Sequence, residues 1–150
     1  MMTLTLNQSS LKLTVNKLKK LSKATSDYSP FLSELSTKMT EDINKNFDRE
    51  GAHLGSKWAR LDGKTIAQRV RAGYGTGPIL QRTGKLKKST YEKEKNQKRV
   101  VVSNSAHYYK YHQLGTRKMP QRTVMQWNNK TKKEAERMFR DYINKIIRNG

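Results

Sequence analysis

The chain has 150 residues, of which 33% are hydrophobic and 29% are charged, a composition that permits one compact domain with a thin core. It carries 32 Lys and Arg against 12 Asp and Glu, and the formal net charge of +20 favours an anionic partner: nucleic acid, an acidic protein or a membrane surface. The absence of cysteine excludes disulfides, thiolate catalysis and zinc–thiolate sites. The sequence shows no signal-peptide pattern and no run of ~20 apolar residues, so we expect neither secretion nor a membrane span.

The charge is distributed unevenly along the chain. Residues 1–50 carry 8 basic and 6 acidic side chains, residues 51–100 carry 13 and 3, and residues 101–150 carry 11 and 3. The basic character therefore belongs to the last two-thirds of the chain.

The first third is predicted to be helical after a short leading segment. Residues 1–10 are expected to form a flexible arm or a short strand, because Thr and Leu alternate near the N-terminus. Ser9 or Ser10 is a candidate cap for the amphipathic helix that follows. That helix is predicted from four apolar residues at helical spacing: Leu11, Val15, Leu18 and Leu21.

The strongest helical pattern begins at Ser29, a candidate N-cap, with Pro30 at the first helical position. An apolar stripe then continues to about residue 49, and Gly51 is predicted to end the helix. The stripe consists of Phe31, Leu32, Leu35, Met39, Ile43 and Phe47.

The middle of the chain mixes irregular segments with short elements. Residues 65–71 are predicted to form one or two helical turns, and residues 72–78 a glycine-rich loop. A phosphate-binding loop would need a preceding strand and a following Gly-Lys-Ser/Thr helix, which this loop lacks. Residues 86–94 and 99–103 then predict an antiparallel hairpin with one solvated face.

The last third is predicted to hold a short helix, a strand and a long helix. The short helix is predicted over residues 106–113, and Gly115 is expected to stop it. Residues 122–127 are expected to form a strand. Thr131 and Glu134 have the spacing of a capping box before an amphipathic C-terminal helix. The order of elements predicts an α+β fold over residues 11–150, a single domain with N-terminal helices and a C-terminal helix packed on a small antiparallel sheet.

The sequence shows no catalytic or metal-binding constellation. His107 and His112 are five residues apart, which does not fit one helical face, and the acidic residues form no paired motif. A hydrolase or nuclease would have to use His53, His112, Glu50 and Asp62, and we rank this hypothesis last. We expect no enzyme activity, no cofactor, no metal ion and no small-molecule substrate.

Basic and aromatic residues are interleaved in the second half of the chain. Such mixing is typical of surfaces that bind phosphates and stack bases, although an acidic protein surface and a merely solvated sheet face are equally compatible with it. A stand-alone basic nucleic-acid-binding protein is therefore one hypothesis for function. The predicted contact residues are Arg82, Lys85, Lys87, Lys88, Arg117, Lys118 and Arg122.

Four motifs occur in order in the central part of the chain. Residues 47–65 read F-x-x-E-G-x-x-x-G-x-x-W-x-x-L-x-x-x-T, and residues 79–89 read I-L-x-x-T-G-x-L-x-x-S. Residues 108–115 read Y-Y-K-Y-H-Q-L-G, and residues 119–122 read M-P-Q-R. This ordered set resembles the phage virion morphogenesis family, the tail-completion proteins of Mu-like phages, over about residues 28–148.

The resemblance implies a non-enzymatic protein that completes the phage tail and helps to join it to the head. It implies an α+β fold and a place in the tail or neck of the virion, after assembly in the host bacterial cytoplasm. The implied partners are further copies of the chain in a ring or collar, tail tube or terminator proteins, head connector proteins and packaged DNA in a channel.

The motif residues themselves are interpreted as structural. Trp58 and Leu61 are expected to hold the loop after the long helix against the sheet, and Thr83 with Gly84 to turn the chain into the first strand. The loops 72–78 and 115–122 are better candidates for partner contact. The motif residues are Phe47, Gly51, Trp58, Leu61, Thr83, Gly84, Leu86, Tyr108, His112, Gln113, Gly115 and Pro120.

Overall fold

A computed structural model shows an α+β fold and describes residues 8–149, with the backbone alone at residue 8 and over residues 93–96. The predicted arrangement of N-terminal helices, a C-terminal helix and a small antiparallel sheet is confirmed. The elements are α1 (Gln8–Ser26), α2 (Ser29–Asp48), α3 (Gly63–Arg71), α4 (Lys85–Lys88), β1 (Thr90–Asn96), β2 (Arg99–Asn104), α5 (Tyr109–Leu114) and α6 (Asn129–Arg148).

The two N-terminal helices agree with the periodicity but differ at their starts. Helix α1 already includes residues 8–10, so that part of the predicted arm is helical, and residues 1–7 lie outside the described residues. Ser9 and Ser10 therefore lie inside the helix and do not cap it. At the start of α2, Ser29 is the first helical residue, and its amide donates to the Asp27 carboxylate at 2.8 Å. The acceptor at this helix start is thus Asp27, two residues before the predicted cap.

The core lies at the C-terminal end of α2. Phe47 is fully buried and packs edge-to-face on the indole of Trp58, with ring centroids 5.5 Å apart. The buried apolar residues are Ile43, Phe47, Leu54, Trp58, Ile79, Leu86, Ala106 and Val124. Because most of them come from loops and short helices, the core depends on irregular segments held close to α2.

The predicted hairpin is confirmed as the antiparallel pair β1–β2, but its first strand begins later than expected. Strand β1 starts at Thr90, opposite Asn104 of β2. Residues 85–88 instead form the helical turn α4, which follows Gly84 in the left-handed conformation with φ of 71°. Leu86 is only 3% exposed, so the turn places this side chain in the core. The prediction that Thr83 and Gly84 lead directly into a strand was therefore wrong.

The strand predicted for residues 122–127 is absent, and the segment is irregular. Its backbone groups bind side chains, which replace the partners that a neighbouring strand would have supplied. The Trp58 indole donates to the Thr123 carbonyl at 2.9 Å, so Trp58 holds this segment and α2 together, not the loop against the sheet.

The C-terminal helix α6 is confirmed, with its capping box three residues earlier than predicted. Asn128 is the N-cap: its side chain accepts from the Thr131 amide at 2.9 Å, and the Thr131 hydroxyl accepts from the Asn128 amide at 2.9 Å. Phe139 and Tyr142 of α6 pack on Phe31 at the start of α2. Helices α2 and α6 are thereby joined at the start of α2.

Asn46 is a fully buried polar side chain at the centre of this arrangement. Its amide nitrogen donates to the carbonyls of Thr123 and Val124 at 3.2 and 3.1 Å, and its amide oxygen accepts from the Leu54 amide at 3.0 Å. One side chain therefore connects α2 to the loop after it and to the irregular segment before α6.

Replacement of Asn46 by Ala is expected to lower the free energy of unfolding by about 2–4 kcal/mol. The change leaves the Leu54 amide and the Val124 carbonyl buried without partners, and each such group costs about 1–3 kcal/mol. Urea unfolding followed by circular dichroism measures the loss. Asn44→Ala, at a half-buried position of the same helix, is the matched control and is expected to change stability by no more than about 0.5 kcal/mol. Equal losses in the two variants would contradict the role of Asn46.

Candidate partner-binding surface

The seven predicted contact residues divide into three groups. Lys87 is half-buried and forms an ion pair with Asp48, and Arg122 is 6% exposed. The remaining five have exposed side chains: Arg82, Lys85, Lys88, Arg117 and Lys118.

Arg82 and Lys85 line a groove of about 510 Å³ between α3, α4 and α5. Tyr108, Tyr111 and Met119 also line it, and we call this feature the basic groove. It combines cationic and aromatic side chains on one surface. The interleaved basic and aromatic residues of the sequence predicted such a combination.

The glycine-rich loop lies next to the basic groove. The Arg82 guanidinium stacks over the ring of Tyr74 with its central carbon 5.4 Å from the ring centroid, a cation–π contact. Tyr74 is 44% exposed, so part of this pair is in contact with solvent. Arg69, which is 4% exposed, donates to the carbonyls of Gly77 and Pro78 at 3.2 Å each and fixes the end of the loop.

The loop 115–122 carries the other two exposed cations. Thr116 and Met119 bond to each other across a tight turn, with the Thr116 amide 2.9 Å from the Met119 carbonyl, and Arg117 and Lys118 form its tip. Gly115 begins the loop with φ of 73°, and a side chain there would press on the backbone of Gln121 at 3.0 Å. Since Met119 also lines the basic groove, the loop tip is held beside it.

Arg122 is a structural residue, which corrects its prediction as a contact residue. Its guanidinium donates to the carbonyls of Ala59 and Arg60 at 2.9 and 3.1 Å. Burial lowers the pKa of Arg122, and the negative charge of Asp62 partly opposes that shift. The sequence gives no means of separating this arginine from the exposed ones, because its acceptors are backbone carbonyls about 60 residues away.

The motif residues lie mainly in the interior, where they hold loops in place. Gln113 accepts from the amides of Val124 and Met125 at 2.9 and 3.1 Å and donates to the Met125 carbonyl. At Gly51, with φ of 96°, a Cβ would collide with the Trp58 indole. Leu61 is half-buried against the same core, whereas Thr83 and Pro120 are exposed.

Three of the four residues that a hydrolase would have to use have separate local partners. The Glu50 carboxylate accepts from the Ile79 amide at 3.0 Å, and Asp62 caps α3 by accepting from the Thr65 amide at 2.7 Å. His53 contacts Asp42 at 2.9 Å. For the fourth residue, burial, and to a lesser degree the charge of Arg122, lowers the pKa of His112. No hydrogen bond or ion pair joins any two of these four side chains.

The Asp42–His53 contact belongs to a polar cluster of α2 and the loop after it that the sequence did not predict. Asp42 also accepts from Lys38 at 2.8 Å. Burial raises the pKa of Asp42, but the hydrogen bonds from Lys38 and His53 outweigh that effect, and the net pKa lies below its usual value. Among the side chains that the structure describes, no group of three His, Asp or Glu residues could hold a metal ion, and no helix within residues 8–149 is long and apolar enough to cross a membrane.

The two kinds of arginine are expected to respond differently to substitution. Arg122→Gln should lower the free energy of unfolding by about 2–3 kcal/mol, because the buried guanidinium and its two charge-assisted hydrogen bonds to backbone carbonyls are lost. Arg82→Gln, at an exposed position, should stay within about 0.5 kcal/mol of the parent chain. Chemical denaturation of both variants measures this difference, and a stable Arg122→Gln chain would contradict the structural role.

A comparison with family models supports the resemblance read from the motifs. The model of the phage virion morphogenesis family matches residues 7–147 of the 150-residue chain, a range that includes all four motifs. In the corresponding comparisons, no curated protein and no solved structure matches. The chain therefore belongs to the phage virion morphogenesis family and has a structural role in building the phage particle.

Proposed function

We propose that this protein completes the phage tail and helps to join it to the head, and that it acts by binding and not by catalysis. Copies of the chain would form a ring or collar at the end of the tail, since closed symmetry is the usual outcome of self-assembly. Its neighbours would be tail tube or terminator proteins on one side and head connector proteins on the other, with packaged DNA in the channel. Family membership supports the structural role from which this proposal starts.

The observation that carries the proposal is a set of unpaired cations on a rigid frame. Arg82, Lys85, Lys88, Arg117 and Lys118 are exposed, and none of them has an ion-pair partner in the described part of the chain. By contrast, the buried Arg122 and the half-buried Lys87 have partners inside the protein. Because a cluster of like charges destabilises the isolated domain, its presence favours an anionic partner outside it.

Helices and side-chain hydrogen bonds hold the basic groove in place. The basic groove is bounded by α3, α4 and α5, and Leu86 of α4 is anchored in the core. Its adjoining loops are fixed by Arg69 and by the turn at Thr116. A preformed cationic surface loses little conformational entropy on binding, as suits a protein that must join two large assemblies.

A charge-reversed variant tests the joining function. In a phage that lacks this gene, Arg82→Glu/Lys85→Glu is expected to reduce complementation at least about tenfold, because two attractive contacts become repulsive. Electron microscopy of the lysates should then show filled heads and free tails that have not joined. The matched control is Lys132→Glu/Lys133→Glu, which makes the same charge change at exposed positions of α6. Normal titres from the groove variant, or equal losses from both, would contradict the proposal.

A stand-alone nucleic-acid-binding protein is the second candidate, and the Arg82–Tyr74 stack beside the basic groove favours it. If the five exposed cations contact phosphates, the logarithm of the affinity for duplex DNA should fall against log salt with a slope of about −4.5. Arg82→Gln/Lys85→Gln should make that slope shallower by about 1.8. Fluorescence anisotropy over a salt series measures both values. Absence of binding to duplex and single-stranded DNA at low salt would remove this candidate.

A further inference from the structure

Helix α1 presents apolar side chains to solvent. Leu11, Val15 and Leu18 are 51%, 40% and 60% exposed, and every described side chain from residue 9 to residue 20 is exposed. These three residues lie within one stripe, because positions separated by three or four residues share a helix face. Most of the stability of a helix in a protein comes from packing its apolar face, so an uncovered stripe of this kind is typical of a helix that docks on a partner.

The helix's own domain does not cover the stripe. Helix α1 packs on α6, and its half-buried residues are Leu21 and Ala24, near its end. Leu21 continues the face of Leu18, but only this last part of the helix is half-buried, and Leu11, Val15 and Leu18 remain exposed. The contact with α6 therefore leaves these three residues free.

A cleft of matching chemistry lies between α2, β2 and α6. It has a volume of about 190 Å³, and its lining includes Leu35, Met39, Val102, Met125 and Trp127. Trp127 is 44% exposed. Since an apolar cavity of about 150 Å³ accommodates a benzene ring, this cleft has room for an aliphatic side chain from another molecule. We call it the α2–α6 cleft.

The surface around the cleft is also less basic than the chain as a whole. Asp42 and Glu134 lie in the lining of the cleft, and Glu34 and Glu41 line the adjoining groove between the same two helices. The basic residues of these grooves and of a third that shares Asp42 and Glu134 are Lys38, Lys45, Lys130 and Arg137, so acids and bases balance here in a chain of net charge +20. Helix α1 carries five lysines and no acidic residue. A helix of this charge is therefore repelled less at the cleft than elsewhere on this basic protein.

We propose that the apolar stripe of α1 docks in the α2–α6 cleft of a second copy of this chain. The contact is head-to-tail, since the two surfaces differ, and repetition of a head-to-tail contact produces a ring when the rotation closes. This inference rests on the ring proposed above and identifies the contact that forms it. A basic amphipathic helix can also lie on an anionic membrane, but a membrane would leave the apolar α2–α6 cleft without a role.

Crosslinking in trans tests the contact directly, because the chain has no cysteine of its own. One chain carries Leu18→Cys, a second tagged chain carries Gln126→Cys at an exposed position of the cleft, and the two are mixed with a short bis-maleimide. We expect on the order of tenfold more mixed dimer than with Leu13→Cys, because docking raises the effective concentration of the docked pair. Leu13 is the matched control: it is 62% exposed and lies on the opposite face of α1.

Equal yields from the Leu18→Cys and Leu13→Cys chains would overturn the proposal. A chain that carries both Leu18→Cys and Gln126→Cys provides a second test. A crosslink mainly within that chain would also overturn the proposal, since it would place the stripe in the α2–α6 cleft of the same molecule.

A stripe variant separates this contact from the joining function. Leu11→Ser/Leu18→Ser should keep the helical circular dichroism signal of the domain but shift the protein to monomers by light scattering. An oligomer that persists in this variant would overturn the α1 contact and leave the ring intact. A stripe variant that is monomeric yet still complements the phage would support the contact and contradict the need for a ring. Binding of the parent chain to anionic vesicles, lost in the stripe variant without any change in oligomeric state, would assign the stripe to a membrane and overturn the proposal.

Discussion

The hydrogen bonds of Asn46 are the constraint on which the rest of the fold depends. The loop after α2 and the segment before α6 both run through the core without a strand beside them, so their backbone groups need other partners. Asn46 supplies partners to both segments from one helix position. Gln113 and Asn128 act in the same way, the first on residues 124 and 125 and the second on the Leu54 carbonyl. Side-chain amides thus replace a third strand in this small domain.

This construction explains why so many of the motif residues lie inside. Gly51 leaves room for the indole of Trp58, and Trp58 in turn binds the Thr123 carbonyl. Arg69 and Arg122 place their guanidinium groups against backbone carbonyls, which need no acidic partner. A protein with few acids can therefore bury arginine for structure and still leave its other cations exposed. The motifs preserve the frame, and the exposed cations lie around it.

The sequence predicted the elements whose apolar residues repeat with a fixed period. Its predictions were wrong where contacts between residues far apart in the chain determine the backbone conformation. The stripes of α2 and α6 and the valines of β2 were sufficient for their identification. Residues 122–127 resemble a strand locally, yet Asn46 and Gln113 take their hydrogen bonds. For the candidate surface, Arg82 and Lys85 were predicted and do line one groove, whereas Arg122 differs from them only in its neighbours in space.

The two proposed surfaces have separate positions in the fold. The basic groove is bounded by α3, α4 and α5, and the α2–α6 cleft lies between α2, β2 and α6, with no lining residue in common. The acids near the cleft do not line the basic groove. Contacts between copies would therefore use the apolar stripe and the α2–α6 cleft, and the unpaired cations would remain for other partners. A ring built in this way concentrates positive charge on its free surface in proportion to its copy number, which strengthens attraction to DNA or to an acidic neighbour without any change in the individual chain.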